Sequence, residues 1–136
     1  TGPLKHVAGH DMNYVAISGL FSFIGPAGKP PTFPANYLAD FAGGSYLCAF
    51  AILAALYSRE RTGKGQVIDH AMCEGAAYMN TFPSVSLPIF SEDRGTNMLD
   101  GGAHFYSVYE TKDGCYMTVG AIEPQFYAKL LEGLGL

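Results

Sequence analysis

The run FAGGSYLCAFAILAALY, Phe41 to Tyr57, holds 17 residues without a charge. A helix that is apolar on every side must be covered, by a larger protein, an oligomer or a membrane. A membrane span needs about 20 predominantly apolar residues. This run falls short of that and is diluted by Gly43, Gly44 and Ser45. Asp40 closes it on one side and the Arg59-Glu60-Arg61 cluster on the other. The expectation is a helix from about Tyr37 or Leu38 to about Arg61, buried in a protein core, with no membrane span.

A chain of 136 residues suits one small domain or a piece of a larger one. Its hydrophobic share of 49% against 15% charged places it far from disorder. A net charge of −4, with no basic stripe, gives no reason to expect nucleic acid. Cys48, Cys73 and Cys115 are widely spaced, which argues against a disulfide framework or a zinc site and for a reducing compartment. His6, His70 and His104 show no metal spacing and read as structural. The chain opens on Thr1 and stops at LLEGLGL straight after a helical pattern, so it reads as a piece of a longer protein.

Along the chain, Ala8 to Gly19 has helical spacing at Tyr14, Ile17 and Leu20, with Asp11 placed to help cap it. GPAGKPPTFPAN, Gly25 to Asn36, is a loop with four prolines and two glycines. The long helix follows, and Gly63 in RTGKGQ suits its left-handed end. QVIDH, Gln66 to His70, reads as a short strand. AMCEGAAYMNTF reads as a helix ended by Pro83, and Ser84 to Asn97 as an irregular linker. FYSVYETKDGCYMTVGAI predicts a hairpin around Asp113-Gly114. EPQFYAKLLEGLGL predicts a helix with Pro124 in its first position and Phe126, Leu130, Leu131 and Leu134 on one face.

Five blocks together resemble the α-methylacyl-CoA racemases of the class III CoA-transferase family. They are GHDMNY (9–14), NYLADFAGG (36–44), RTGKGQVID (61–69), NMLDGGAHFY (97–106) and VGAIEPQFY (119–127). Each block alone is weak; five in the family's order and spacing, nearly end to end, are specific. One departure is His104, where the racemases usually carry proline. The resemblance implies an α/β fold. Residues 1–70 would belong to a large Rossmann-like CoA-binding domain, 71–103 to a helix and linker, and 104–136 to the start of a small α+β domain. It implies an acyl-CoA substrate with no cofactor beyond that coenzyme A, and an interlocked homodimer that would cover the apolar helix. Animal members work in peroxisomes and mitochondria.

The same resemblance implies a two-base site. Racemising a 2-methylacyl-CoA removes the α-proton from one face of a flat enolate and returns a proton to the other. When one base holds a proton the other must be free. His10 and Asp40 match the two bases, and histidine as a residue type titrates near neutrality, at about 6.5. The enolate oxygen also needs a donor, whose loss typically costs about 10²–10³ in rate; the N–H of Asp11, at a helix start, fits that need. Glu123 matches an acid that approaches the histidine across the dimer and would orient it. Asn36, four residues before Asp40, could fix that carboxylate, while Gly9 and Tyr14 match positions beside the CoA arm.

Each residue also has an ordinary reading. His10 could simply start a helix, Asp40 could be the N-cap of the long helix, and Glu123 a first-turn acid. A class III CoA-transferase is the competing enzyme: there the aspartate at the Asp40 position is a nucleophile, and the family's transferases generally lack the GHD that holds His10. A non-catalytic, truncated piece is the competing reading from another class.

Overall fold

The structure is a computed structural model that describes residues 2–86, 91 and 93–136. The chain divides into two compact units, Thr1–Phe21 with Thr32–Ser86, and Ser22–Pro31 with Leu87–Leu136.

In the first unit the chain reaches His10 extended, at φ −120° and ψ 174°, and turns into helix α1 (Asp11–Ile17). Asn13 Oδ1 takes the His10 N–H at 2.9 Å, which satisfies a backbone donor just outside the helix. Val15 on the inner face is wholly buried, an effect worth about 1.5–3 kcal/mol. Leu20, which opens a 3₁₀ turn (Leu20–Phe23), is buried as well.

The long helix forms, but in two windings. Tyr37–Tyr46 is a π-helix and α2 (Leu47–Thr62) is a regular α-helix. A π-helix usually appears as a single-turn bulge, often at a functional site; ten residues is a long one. Gly63 ends α2 with a left-handed φ of 68°, its N–H donating to Arg59 O at 2.7 Å, as the sequence predicts.

Helix α3 (Met72–Met79) crosses the π-helical segment where glycine meets glycine. A Cβ on Gly43 would stand 2.5 Å from Ala76 N, and one on Gly75 would overlap the Gly43 backbone. This approach needs hydrogen in place of a side chain at both positions. The core of the unit is accordingly built of small groups: Ala39 and Ala76 are fully buried beside Gly43, Gly44 and Gly75. His70 adds a polar clamp, its Nε2 lying 2.9 Å from Gly43 O and 3.0 Å from Gly44 O. Both partners are acceptors, so Nε2 carries the proton.

Three expectations are corrected here. The apolar helix is not buried within this chain: α2 has no buried residue, and Phe50, Leu53 and Tyr57 are 70%, 65% and 61% exposed. The reason is that α1 and α3 both pack on the π-helical segment and leave α2 projecting. By length and composition Tyr37–Thr62 could cross a membrane, which does not establish a span. Secondly, residues 66–70 form no strand; among the described residues, sheet pairing joins only the two hairpin strands. A β-branched run becomes a strand only when a neighbour takes its backbone groups, and Val67 is 96% exposed. Thirdly, Pro83 does not end a helix but lies within a short one, α4 (Thr81–Val85), set off from α3 at Asn80. Proline is tolerated in a first turn, where its missing N–H has no intrahelical acceptor anyway.

In the second unit the predicted hairpin forms, β1 (Tyr106–Glu110) antiparallel to β2 (Tyr116–Gly120), with Val108 opposite Thr118. Thr111 N–H donates to Cys115 O at 2.8 Å across the turn, and Gly114 has φ 79°. The linker expected over Ser84 to Asn97 lies partly outside the described residues, at 87–90 and 92. Its described end is irregular yet closely bonded. Asp100 accepts from the N–H groups of Gly95 (2.9 Å) and Asn97 (2.7 Å), and the buried Asn97 side chain accepts from Ser91 N–H at 2.6 Å. Helix α5 (Pro124–Leu134) begins with Pro124 at its first position and ends on Gly135, φ 73°. Tyr127 packs edge-on against His104 and Phe105, and its hydroxyl lies 3.1 Å from His104 Nε2. His104 thus anchors the turn before the hairpin to α5.

Candidate active site

His10 and Asp40 come from the starts of two helices in the first unit, and a third residue joins those starts. His10 is the N-cap of α1 and is exposed; its own N–H is engaged by Asn13. Asp11, the next residue, is buried at 5% exposure. Its carboxylate does not cap α1. Instead Oδ2 accepts the N–H of Ala39 at 2.7 Å and of Asp40 at 2.8 Å, in the first turn of the π-helical segment. These are donors without intrahelical acceptors, and the bonds have the length of charge-assisted ones. The positive end of that helix also favours a carboxylate there.

Asp40 is therefore not the N-cap of the long helix. Asn36 stands at that boundary, without a side-chain bond to the helix end. The capping oxygen comes from another element, which leaves the Asp40 carboxylate to face outward, half-buried. Asn36 Nδ2 donates to Asp40 Oδ2 at 3.1 Å, a contact that its spacing of four allows. Ser45 Oγ donates to the Asp40 carbonyl at 2.8 Å, across one π-helical turn. The acid is thus held at its amide, carbonyl and side chain by three different residues.

Gly9 and Tyr14 meet each other: the Tyr14 hydroxyl donates to Gly9 O at 3.3 Å, and a Cβ on Gly9 would stand 3.2 Å from Tyr14 Cζ. Both border an open cavity of about 720 Å³, together with Ile17, His70 and Met72. His10 and Asp40 stand outside its lining. Glu123 belongs to the second unit, where it is the exposed N-cap of α5 with no side-chain bond to the helix end. Among the described residues no three His, Cys, Asp or Glu side chains converge as metal ligands would.

Two participants were missed at the level of sequence, the Asp11 carboxylate and the Ser45 hydroxyl. Asp11 is named from the sequence for its helix-start position and its backbone N–H, not for its carboxylate, whose partners lie 28 and 29 positions on. Ser45 reaches Asp40 only because the helix is wound with a period that the sequence does not announce.

The α-methylacyl-CoA racemases of Homo sapiens and Mus musculus are 55% and 54% identical over 138 residues, covering all of this chain and 36% of each relative. A succinyl-CoA:glutarate CoA-transferase of Mus musculus is 34% identical over 137 residues, again across the whole chain and 31% of that protein. A CAIB/BAIF family protein from Brucella suis superposes with a TM-score of 0.73 at 27% identity, over 99% of this chain and 35% of the other. The chain thus spans about a third of the length of these relatives. The CoA-transferase family III model matches residues 1–136. With the fold and five sequence blocks in agreement, this chain belongs to CoA-transferase family III.

Proposed function

We propose that the complete protein racemises 2-methylacyl-CoA thioesters, with His10 and Asp40 as its two bases. The observation that carries this reading is the bond from Asp40 N–H to the carboxylate of the residue directly after His10. It brings the helix starts that carry a histidine and an aspartate side by side, and two bases that serve one carbon need such proximity. The racemases' identity over the whole chain supports it.

In one direction His10 takes the α-proton, the C–H electron pair moves into an enolate, and protonated Asp40 returns a proton to the opposite face. In the other direction the roles exchange. The Asp11 N–H, in the first turn of α1, serves the enolate oxygen. Glu123 orients the His10 ring from the partner protomer of a homodimer, and Gly9 and Tyr14 border the CoA arm. Residues 1–70 form part of the large CoA-binding domain and 104–136 begin the small one. The coenzyme A is part of the substrate and no other cofactor takes part. The protein works in peroxisomes or mitochondria.

The second reading is CoA transfer, with Asp40 attacking the thioester carbonyl and expelling the CoA thiolate. The transferase relative favours it. His10 separates the two, since transfer needs no second base. With a single epimer in D₂O, the full-length protein should form the other epimer with deuterium at the α-carbon, and His10→Ala should lose inversion. Retained configuration with CoA passed to an added carboxylate overturns the racemase reading. A native product that sizes at only 136 residues favours the non-catalytic, truncated piece instead.

A further inference from the structure

The buried Asp11 carboxylate holds no donor of its own helix. Oδ2 takes two backbone donors of a distant helix, at 2.7 Å and 2.8 Å. Oδ1 is buried and has no partner among the described residues. Resting on the two-base reading above, we propose that Asp11 is a positioning residue that sets the separation and direction between His10 and Asp40.

The geometry supplies the means. Asp11 is covalently continuous with His10, so its backbone moves with one base. Its carboxylate grips the amide of Asp40, so its side chain moves with the other. Asn36 and Ser45 then orient what Asp11 has placed, the Asp40 carboxylate and carbonyl. Inversion needs both bases within reach of one carbon, and a misplacement of about 1 Å can cost roughly 10² in rate. Exchange with retention needs only one base, which removes the α-proton, trades it with solvent and returns a deuteron to the same face. Loosening the clamp therefore penalises inversion more than exchange, whereas general loss of folded enzyme lowers both alike.

The test uses the full-length protein, a single epimer of a 2-methylacyl-CoA and D₂O. In Asp11→Ala, kcat for inversion should fall by about 10²-fold with KM little changed. The ratio of deuterium incorporated with retention to inversion should rise. Asp11→Asn keeps an acceptor oxygen in place and should recover most of the inversion. Where the alanine variant does not fold, Asp11→Glu carries the test, since it keeps the charge but lengthens the arm, and it should raise the same ratio. In parallel, the Ala39 and Asp40 amides should exchange slowly with solvent in the parent and rapidly in Asp11→Ala. An unchanged ratio in a folded variant, or unprotected Ala39 and Asp40 amides in the parent, overturns the proposal. A parent with protected amides that inverts no epimer overturns the racemase reading instead.

Discussion

At Asp113 in the hairpin turn, the Thr111 hydroxyl donates to the carboxylate and the Cys115 N–H adds a bond at 3.3 Å. The Thr111 bond, with the backbone bonds behind it, holds the Asp113 carboxyl below the usual carboxylate range. A group whose folded pKa is depressed stabilises the fold above its unfolded pKa, and that contribution is lost as pH falls through the folded value. The turn should therefore fray on acidification below the ordinary carboxylate range, and Asp113→Asn should weaken it at neutral pH. Amide exchange at Thr111 and Gly114, followed against pH, checks both; the effect is small because the group is exposed. His10, Asp40 and Asn36 could be named as candidates from the chain alone because each stands inside a block that resembles a family pattern. The Asp11 carboxylate could not, since nothing near it in the chain says where its side chain will be used.

The helix running from Tyr37 to Thr62 shows what periodicity can and cannot tell. An uncharged run announces a helix, and Gly63 announces its end, because both signals are local. The change of winding at Tyr46 has no such signal. It accompanies outside contacts: the Asp11 carboxylate at the first turn, α3 pressed on Gly43, and His70 at the carbonyls of Gly43 and Gly44. Gly75→Ala should therefore lower stability by about 2 kcal/mol, as overpacking of a close-packed contact does, and equilibrium unfolding of the full-length protein measures it. A substitution that leaves stability unchanged there would mean that the two backbones do not meet. At 66–70 the local pattern was that of a strand, but a strand is a relation between two segments, and among the described residues no second segment pairs with this one as a strand.

Over the whole molecule the exposed apolar surface of α2 is the dominant physical fact. Phe50, Leu53, Leu56 and Tyr57 stand open together, and contiguous apolar surface on this scale marks a face that meets another surface. The 136-residue chain by itself should therefore self-associate and bind a hydrophobic dye. Phe50→Glu with Leu53→Glu should reduce both, as read by sedimentation and by dye fluorescence; a monomeric, dye-silent parent would show that this surface is not what directs assembly. The long helix, the final helix, the hairpin, the left-handed glycine at Gly63 and, through the matching blocks, the family can all be read along the chain. Those features rest on neighbours within a few positions or on patterns shared with relatives. That Asp11 caps the helix of Asp40, that Gly43 meets Gly75, and that the most apolar helix is left uncovered within this chain emerge only from the folded chain. Each of those depends on which distant segments come together, and the apolarity of a helix states that it must be covered without stating by what.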